Sequence, residues 1–159
     1  MLKEIKIKPT FLVKDVFKVN VYLVFKTWKA WAILFFLIYF FIIKNDSDSL
    51  NIATLKSLGL VIGILAFFFS LYKKSKKLIS ENPRLKENIH FIFNQEYFEE
   101  KGETFSVKHY WKNIFKVEEK REWFLIYIKK SNAMIVRKDD LKEQITDFNK
   151  LIKDINLKA

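Results

Sequence analysis

The stretch Trp28–Tyr72, WKAWAILFFLIYFFIIKNDSDSLNIATLKSLGLVIGILAFFFSLY, decides how this 159-residue chain is built. Two apolar runs flank a short polar loop, and lysines stand outside both ends. The first run, Ala30 to Ile43, carries no charge. Its length of about 21 Å falls short of the ~30 Å hydrocarbon core of a bilayer. It becomes long enough by extending back to Tyr22, past Lys26, Thr27 and Lys29. Lysines near a helix end can snorkel to the headgroups, and Trp28 and Trp31 sit where an interfacial aromatic belt would lie. The second run, Leu58 to Tyr72, follows Lys56 and precedes Lys73, Lys74, Lys76 and Lys77; it borrows Leu50 to Leu55 to reach a span. Either run alone fits a buried helix of a soluble protein. Together, aromatic-rich and lysine-flanked, they predict a two-helix transmembrane hairpin. The first run starts too late for a signal peptide, and no small-residue cleavage site follows it.

Gly59 and Gly63 form a G-x-x-x-G in the second run, and Ala66 and Ser70 continue that face at helical spacing. Small residues let helix backbones approach closely in lipid. The stripe predicts helix packing in the membrane, either inside one hairpin or between two copies in a homo-oligomer. The first run, with Leu34, Phe35, Phe36, Tyr39 and Phe40, is bulky enough to lie against it.

Charge is distributed as a membrane anchor requires. The net charge is +11, but residues 1–87 hold 15 Lys+Arg against 6 Asp+Glu, while residues 88–159 hold 14 against 12. The excess lies beside the apolar runs, as the positive-inside pattern predicts, and anionic membrane lipid is its natural partner. Nucleic acid is not expected as a partner. The loop Lys44 to Lys56 is neutral and both flanks are basic. A two-pass protein of the cell membrane with both termini cytoplasmic follows. The chain has no cysteine, so disulfides, thiol chemistry and cysteine-based metal sites are excluded.

Four segments follow in order. Residues 1–27 predict an N-terminal strand and an amphipathic helix. KEIKIK at 3–8 alternates, Pro9 ends it, and Thr10 is placed as a helix N-cap. From Phe11, Lys14, Lys18, Lys26 and Lys29 share one helical face, so the simplest reading is one long helix that enters the membrane. Its valines weaken that reading, and a soluble helix packed on the C-terminal domain is the alternative. Residues 28–72 are the hairpin. Residues 73–87 are a basic linker into which the helix can run as far as Ile79, with Asn82-Pro83 as a breaker. Residues 88–159 are a strand-rich domain. Its strands begin with Ile89–Phe93, then Tyr97–Lys101 and Thr104–Tyr110 around a Gly102-Glu103 turn, then a corner at Trp111–Ile114. Phe115–Glu119, Trp123–Lys129 and Ala133–Arg137 complete a meander. Asp140 and Glu143 have capping-box spacing. Leu141, Ile145, Phe148, Leu151, Ile152 and Ile155 mark a terminal amphipathic helix.

The run HYWKNIFKVEEKREWFLIYI, residues 109–128, resembles the YcxB-like family of small bacterial membrane proteins. Trp111 with Ile114 matches its corner, Lys116-Val117-Glu119 one strand, and Phe124-Ile126-Tyr127 the next. The upstream pair of apolar helices fits the family layout. The resemblance implies an α+β chain: a two-helix transmembrane hairpin plus a cytoplasmic pleckstrin-homology-like antiparallel sheet capped by a C-terminal helix. It places Trp111, Ile114, Val117 and Ile126 in the domain core. The family often has a proline before the helix, where this chain has Val136-Arg137-Lys138. No biochemical activity comes with the resemblance.

No catalytic, cofactor or metal residues are expected. His109 keeps step with Phe105, Val107 and Trp111, and His90 faces away from Ile89, Phe91 and Phe93. Neither has metal-ligand spacing with a second ligand. Glu99, Glu100, Glu118 and Glu119 are adjacent pairs on strands and point to opposite faces. The expected function is that of a membrane-anchored, non-catalytic protein whose cytoplasmic domain binds a protein partner. The alternatives are headgroup sensing and a small transport-associated subunit. Against headgroup sensing, Asn94-Gln95-Glu96, taken as the first strand–strand loop, is acidic along with Glu99, Glu100 and Glu103.

Overall fold

The computed structural model describes residues 4–39, 50–130 and 132–156. The end of the first apolar run (40–43), the first part of the polar loop (44–49) and the turn residue Ser131 lie outside the described residues. The chain forms two compact units. One is residues 12–81; the other joins residues 1–11 to residues 82–159. The N-terminal strand thus shares a unit with the C-terminal strands, and the helices are inserted between them.

In the helical unit, α1 spans Val13–Phe25, α2 Trp28–Ile38 and α3 Leu50–Ser80. The single long helix expected from Phe11 onward is broken: α1 and α2 meet at a bend of 78°. Thr27 adopts an extended backbone, ψ 135°, which halts the helical ladder. The carbonyls freed there are taken locally. Thr27 Oγ1 donates to Val24 O at 2.8 Å, and the Trp31 indole donates to Phe25 O at 2.8 Å. A break with its polar groups satisfied is a stable kink rather than frayed helix.

α1 packs on the far part of α3. Asn20 Nδ2 donates to Ser75 Oγ at 2.9 Å, Ser75 Oγ donates back to Leu71 O at 2.8 Å, and Phe17 meets Tyr72 edge-on at 6.0 Å. The expected linker is therefore largely helix, since α3 continues through Lys73–Lys77 to Ser80. Pro83 opens a separate 3-10 turn, Pro83–Lys86, capped by the Asn82 side chain, which accepts from Arg84 N. Within α3, Thr54–Ser80 is long and apolar enough to cross a membrane, and its most apolar stretch is unburied; α1 and α2 qualify only as one bent pair.

Among the described residues, the other unit has seven strands. β1 (Ile5–Ile7), β2 (His90–Phe93), β3 (Tyr97–Lys101) and β4 (Ser106–Tyr110) form one antiparallel sheet in that order. β5 (Lys116–Glu119), β6 (Trp123–Lys129) and β7 (Asn132–Arg137) form a second. Ile5 lies opposite Phe93 and Ile7 opposite Phe91, so the short alternation at the N-terminus buries two isoleucines against two phenylalanines. The sheets share one core with the terminal helix α5, Ile145–Asn156. Phe148 lies 4.9 Å from both Phe93 and Phe124, tying the two sheets together.

Two expected caps are not made. α1 starts at Val13 after Leu12, without a side-chain cap, and Thr10 instead donates its backbone N–H to Asp140 Oδ2 at 2.8 Å. Asp140 lies within a single turn, α4 (Lys138–Leu141). Lys142 then breaks the helix at φ 47°, and a 3-10 turn leads into α5. The apolar stripe survives the break, with Leu141, Phe148, Leu151 and Ile152 all buried.

Candidate functional site

The expected packing stripe divides in the structure. Gly59 and Gly63 line a cavity of about 780 Å³ whose walls come from α1, α2 and α3. Ala66 and Ser70 are exposed and outside its lining. Among the described residues, nothing lies within 4 Å of a Cβ placed at Gly59 or Gly63. Open space thus stands at both glycines among the described residues. Apolar side chains such as Leu34, Leu37, Ile64 and Phe67 form the walls. Asn20, Thr27, Lys29 and Lys74 are the polar lining residues. Asn20 is bonded to Ser75, next to Lys74, and α2 begins at Trp28, just after α1 ends.

The four core residues read from the sequence come together in the sheet unit. Trp111 and Ile126 are in the core, with Ile114 and Val117 packed against it. His109 stacks on Phe98 with centroids 4.6 Å apart and reaches Glu100 Oε1 at 3.0 Å. Glu118 pairs with Lys116 and Lys120, and Glu119 with Lys138. These acids serve neighbouring lysines rather than converging on a common point. No group of three or more His, Cys, Asp or Glu capable of holding a metal occurs among the described residues.

The outer face of β3 and β4 carries a feature that the sequence reading passed over. Tyr97 and Tyr110 pair across the strands, 5.8 Å apart and edge-on, and Glu99 pairs with Lys108. Lys108 Nζ lies 4.5 Å from the Tyr97 ring, and a side-chain hydrogen bond to Tyr97 holds its ammonium above its ordinary pKa. Lys112 stands over Tyr110. Tyr110 is 45 % exposed and Phe115, just beyond the corner, is 50 % exposed. The alternation Lys108, Tyr110, Lys112 was the available signal. β4 is the last strand of its sheet, so among the described residues its outer backbone edge has no neighbouring strand.

Behind that hairpin, Glu87 fixes the turn. Its Oε2 accepts from Glu103 N at 2.7 Å and Thr104 N at 2.9 Å, and Oε1 accepts from Thr104 Oγ1 at 2.5 Å. A Cβ at Gly102 would fall 2.5 Å from Glu87 Oε2 and closer still to the Phe105 ring, so only glycine lets the carboxylate in. The Thr104 hydroxyl, followed by the Thr104 backbone, holds the Glu87 pKa below its ordinary 4.5. A depressed carboxylate contributes fully above its unfolded pKa, and that contribution is lost as pH falls through the folded value. The Glu103 and Thr104 amide resonances are expected to shift on acidification below about 4.5. Glu87→Gln should flatten that titration, and an unchanged profile would remove the carboxylate from the turn.

The meander, its Trp111 corner and the closing helix supply the context for comparison. Residues 93–152 match the family described as YcxB-like protein. The match runs from the end of β2 into α5 and contains Trp111, Ile114, Val117 and Ile126, the residues that carried the resemblance. β1 and the helical unit lie outside the YcxB-like match. No curated protein and no solved structure matches the chain.

Proposed function

We propose that the chain is a two-pass membrane protein with both termini in the cytoplasm, whose sheet unit is pleckstrin-homology-like and binds a protein partner without catalysis. The observation that carries the binding role is the free edge of β4 beside the half-buried Tyr97 and the exposed Lys108 and Tyr110. An edge strand offers unpaired backbone groups to an incoming strand. Aromatic residues next to it supply the anchors on which interface energy concentrates. The pleckstrin-homology-like reading is supported by four strands and three strands in two antiparallel sheets, followed by a helix that shares their core. The membrane reading is supported by the unburied apolar length of α3, which water would not tolerate.

Because β1 is Ile5–Ile7, Asn94-Gln95-Glu96 is the second inter-strand connection, and the first is residues 8–89 with the helices and their lysines. Lipid contact is thereby assigned to the helical unit, while the sheet unit, with 19 Lys+Arg against 14 Asp+Glu over residues 1–11 and 82–159, is left for protein.

A photo-crosslinking residue at Ser106, on the outer face of β4, should give a discrete protein adduct in native membranes, and one at Lys153 on α5 should not. The adduct should vanish in Tyr97→Ala/Tyr110→Ala. Lipid adducts alone, or no adduct, would overturn the protein-binding reading; an adduct of twice the chain mass would identify the partner as a second copy. Reporter fusions after Ser49 and Ala159 should give opposite compartments. The same compartment for both would sink the hairpin.

A further inference from the structure

The free edge of β4 is basic as well as open. Trp111 N–H donates to Glu96 O at 3.0 Å and Gly102 N–H to Phe105 O at 2.8 Å, which closes the β3–β4 ladder at both ends. Bonded pairs alternate along an antiparallel ladder, so Phe98 with His109 and Glu100 with Val107 carry the bonds in between. Ser106, Lys108 and Tyr110 therefore turn their N–H and C=O groups to the outer edge, where no strand pairs among the described residues. Their side chains are exposed, and those of Val107 and His109 are half-buried. From Thr104 to Val117 the sequence holds Lys108, Lys112 and Lys116 and no acid. We propose that the strand taken up by this edge is acidic: an extended segment of another protein with carboxylates facing Lys108 and Lys112 and, midway between them, an apolar residue on Tyr110. The inference rests on the protein-binding reading given above and names the chemistry of that partner.

Register and charge both favour this occupant. A strand added to β4 bonds to Ser106, Lys108 and Tyr110, and the residues directly opposite them share the face of their side chains. On that face Lys108 Nζ lies 4.5 Å from the centre of the Tyr97 ring and Lys112 Nζ 5.9 Å from that of Tyr110, and the two rings are 5.8 Å apart. The ammonium groups thus accompany a tyrosine pair. Lys108 and Lys112 stand two positions either side of Tyr110, so the partner's acid, apolar, acid pattern at alternate positions mirrors β4 itself. Glu99 is the acid among the outer residues of β3 and β4. It accepts from the Ser106 hydroxyl at 2.7 Å and lies one strand in from the edge, so an incoming strand meets lysine first. Opposite charges across a ladder stabilise it, and like charges directly opposite destabilise it. A second copy's β4 would bring Lys108 and Lys112 to this edge and no carboxylate. An anionic membrane would satisfy the lysines but offers no strand to the outward amides and carbonyls.

The test uses the full chain in detergent and a fluorescein-labelled peptide, Ser-Thr-Glu-Thr-Val-Thr-Glu-Thr-Ser, followed by fluorescence anisotropy. The peptide should bind, and its analogue with both Glu replaced by Gln should bind roughly tenfold more weakly, about threefold per lost ion pair. Lys108→Gln/Lys112→Gln should erase that difference, whereas Lys73→Gln/Lys74→Gln on α3 should preserve it. Ser106→Pro removes an outward N–H that the β3–β4 ladder does not use and should weaken the Glu peptide roughly fivefold. Ser106→Ala keeps that N–H and should match the parent chain. Failure of the Glu peptide to bind, binding equal to the Gln peptide, or a difference that survives Lys108→Gln/Lys112→Gln would overturn the proposal. So would tighter binding of a peptide copying residues 104–112, which would put a second copy on the edge, or displacement by glycerol phosphate at constant ionic strength, which would make this a headgroup site. The photo-adduct at Ser106 in native membranes separates the two readings. An adduct that persists in Lys108→Gln/Lys112→Gln sinks only the acidic strand, whereas no adduct in the parent chain sinks the protein-binding reading with it.

Discussion

Trp111→Ala is expected to destabilise the sheet unit by about 3–5 kcal/mol, the usual cost of deleting a large buried aromatic. Trp111 is 6 % exposed and holds the corner between β4 and β5 from three directions. Its ring stacks on Phe93 at 6.5 Å and lies 5.3 Å from Phe98, so the indole covers the centre of the first sheet. Its Nε1 donates to Asn94 O at 2.7 Å, and its backbone N–H donates to Glu96 O at 3.0 Å. Both bonds tie the corner to the β2–β3 turn. Alanine removes the ring and strands the Asn94 carbonyl, whose remaining partner must then be water. For a unit of this size the loss corresponds to a fall in melting temperature of roughly 12 °C or more. Trp111→Phe keeps much of the packing and loses the indole bond, so it should cost about 1–3 kcal/mol. Thermal unfolding followed by near-ultraviolet circular dichroism separates the variants. An unshifted midpoint for Trp111→Ala would mean that the ring is not part of the core.

The parts of this fold that were legible in the sequence are those with local causes. The β6 strand, Trp123–Lys129, opens with six consecutive apolar residues of β-forming type, and the helical stripe through Phe148, Leu151 and Ile152 repeats often enough to be seen. The corner at Trp111 announced itself by an aromatic in step with the inward face of the preceding strand. What was missed depends on residues that meet only in three dimensions. The break at Thr27 has no proline or glycine to mark it; it is held by the Thr27 hydroxyl and the Trp31 indole, whose partners are read only from the folded turn. Gly59 and Gly63 line the cavity while Ala66 and Ser70 do not, and whether a face of α3 meets a helix or open space depends on where α2 goes after the bend. The tyrosine–lysine face of β3 and β4 requires the cross-strand register, and single-strand periodicity does not supply it.

β1 is the sharpest case, and its removal is the second large effect expected. Three residues, Ile5–Ile7, complete a sheet whose next strand begins at His90, and no local signal in KEIKIK names that partner. Ile5 and Ile7 are 3 % and 4 % exposed in the shared core. Phe11 packs edge-on against Phe91 at 6.1 Å, and the Thr10 N–H reaches Asp140, so the segment after the strand is fastened as well. Truncating one buried isoleucine to alanine costs about 2–5 kcal/mol. Losing both, with the β1–β2 ladder, approaches the whole stability of a typical domain, about 5–15 kcal/mol. A fragment of residues 82–159 should therefore fail to unfold cooperatively and should expose the apolar faces of Phe91 and Phe93. Joining residues 1–11 to residue 82 through a flexible glycine–serine linker should restore a cooperative transition without the helical unit. Ile5→Ala/Ile7→Ala within the joined chain should lower its midpoint sharply. If residues 82–159 alone melt cooperatively at the temperature of the joined chain, β1 is an ornament on the sheet rather than part of its core.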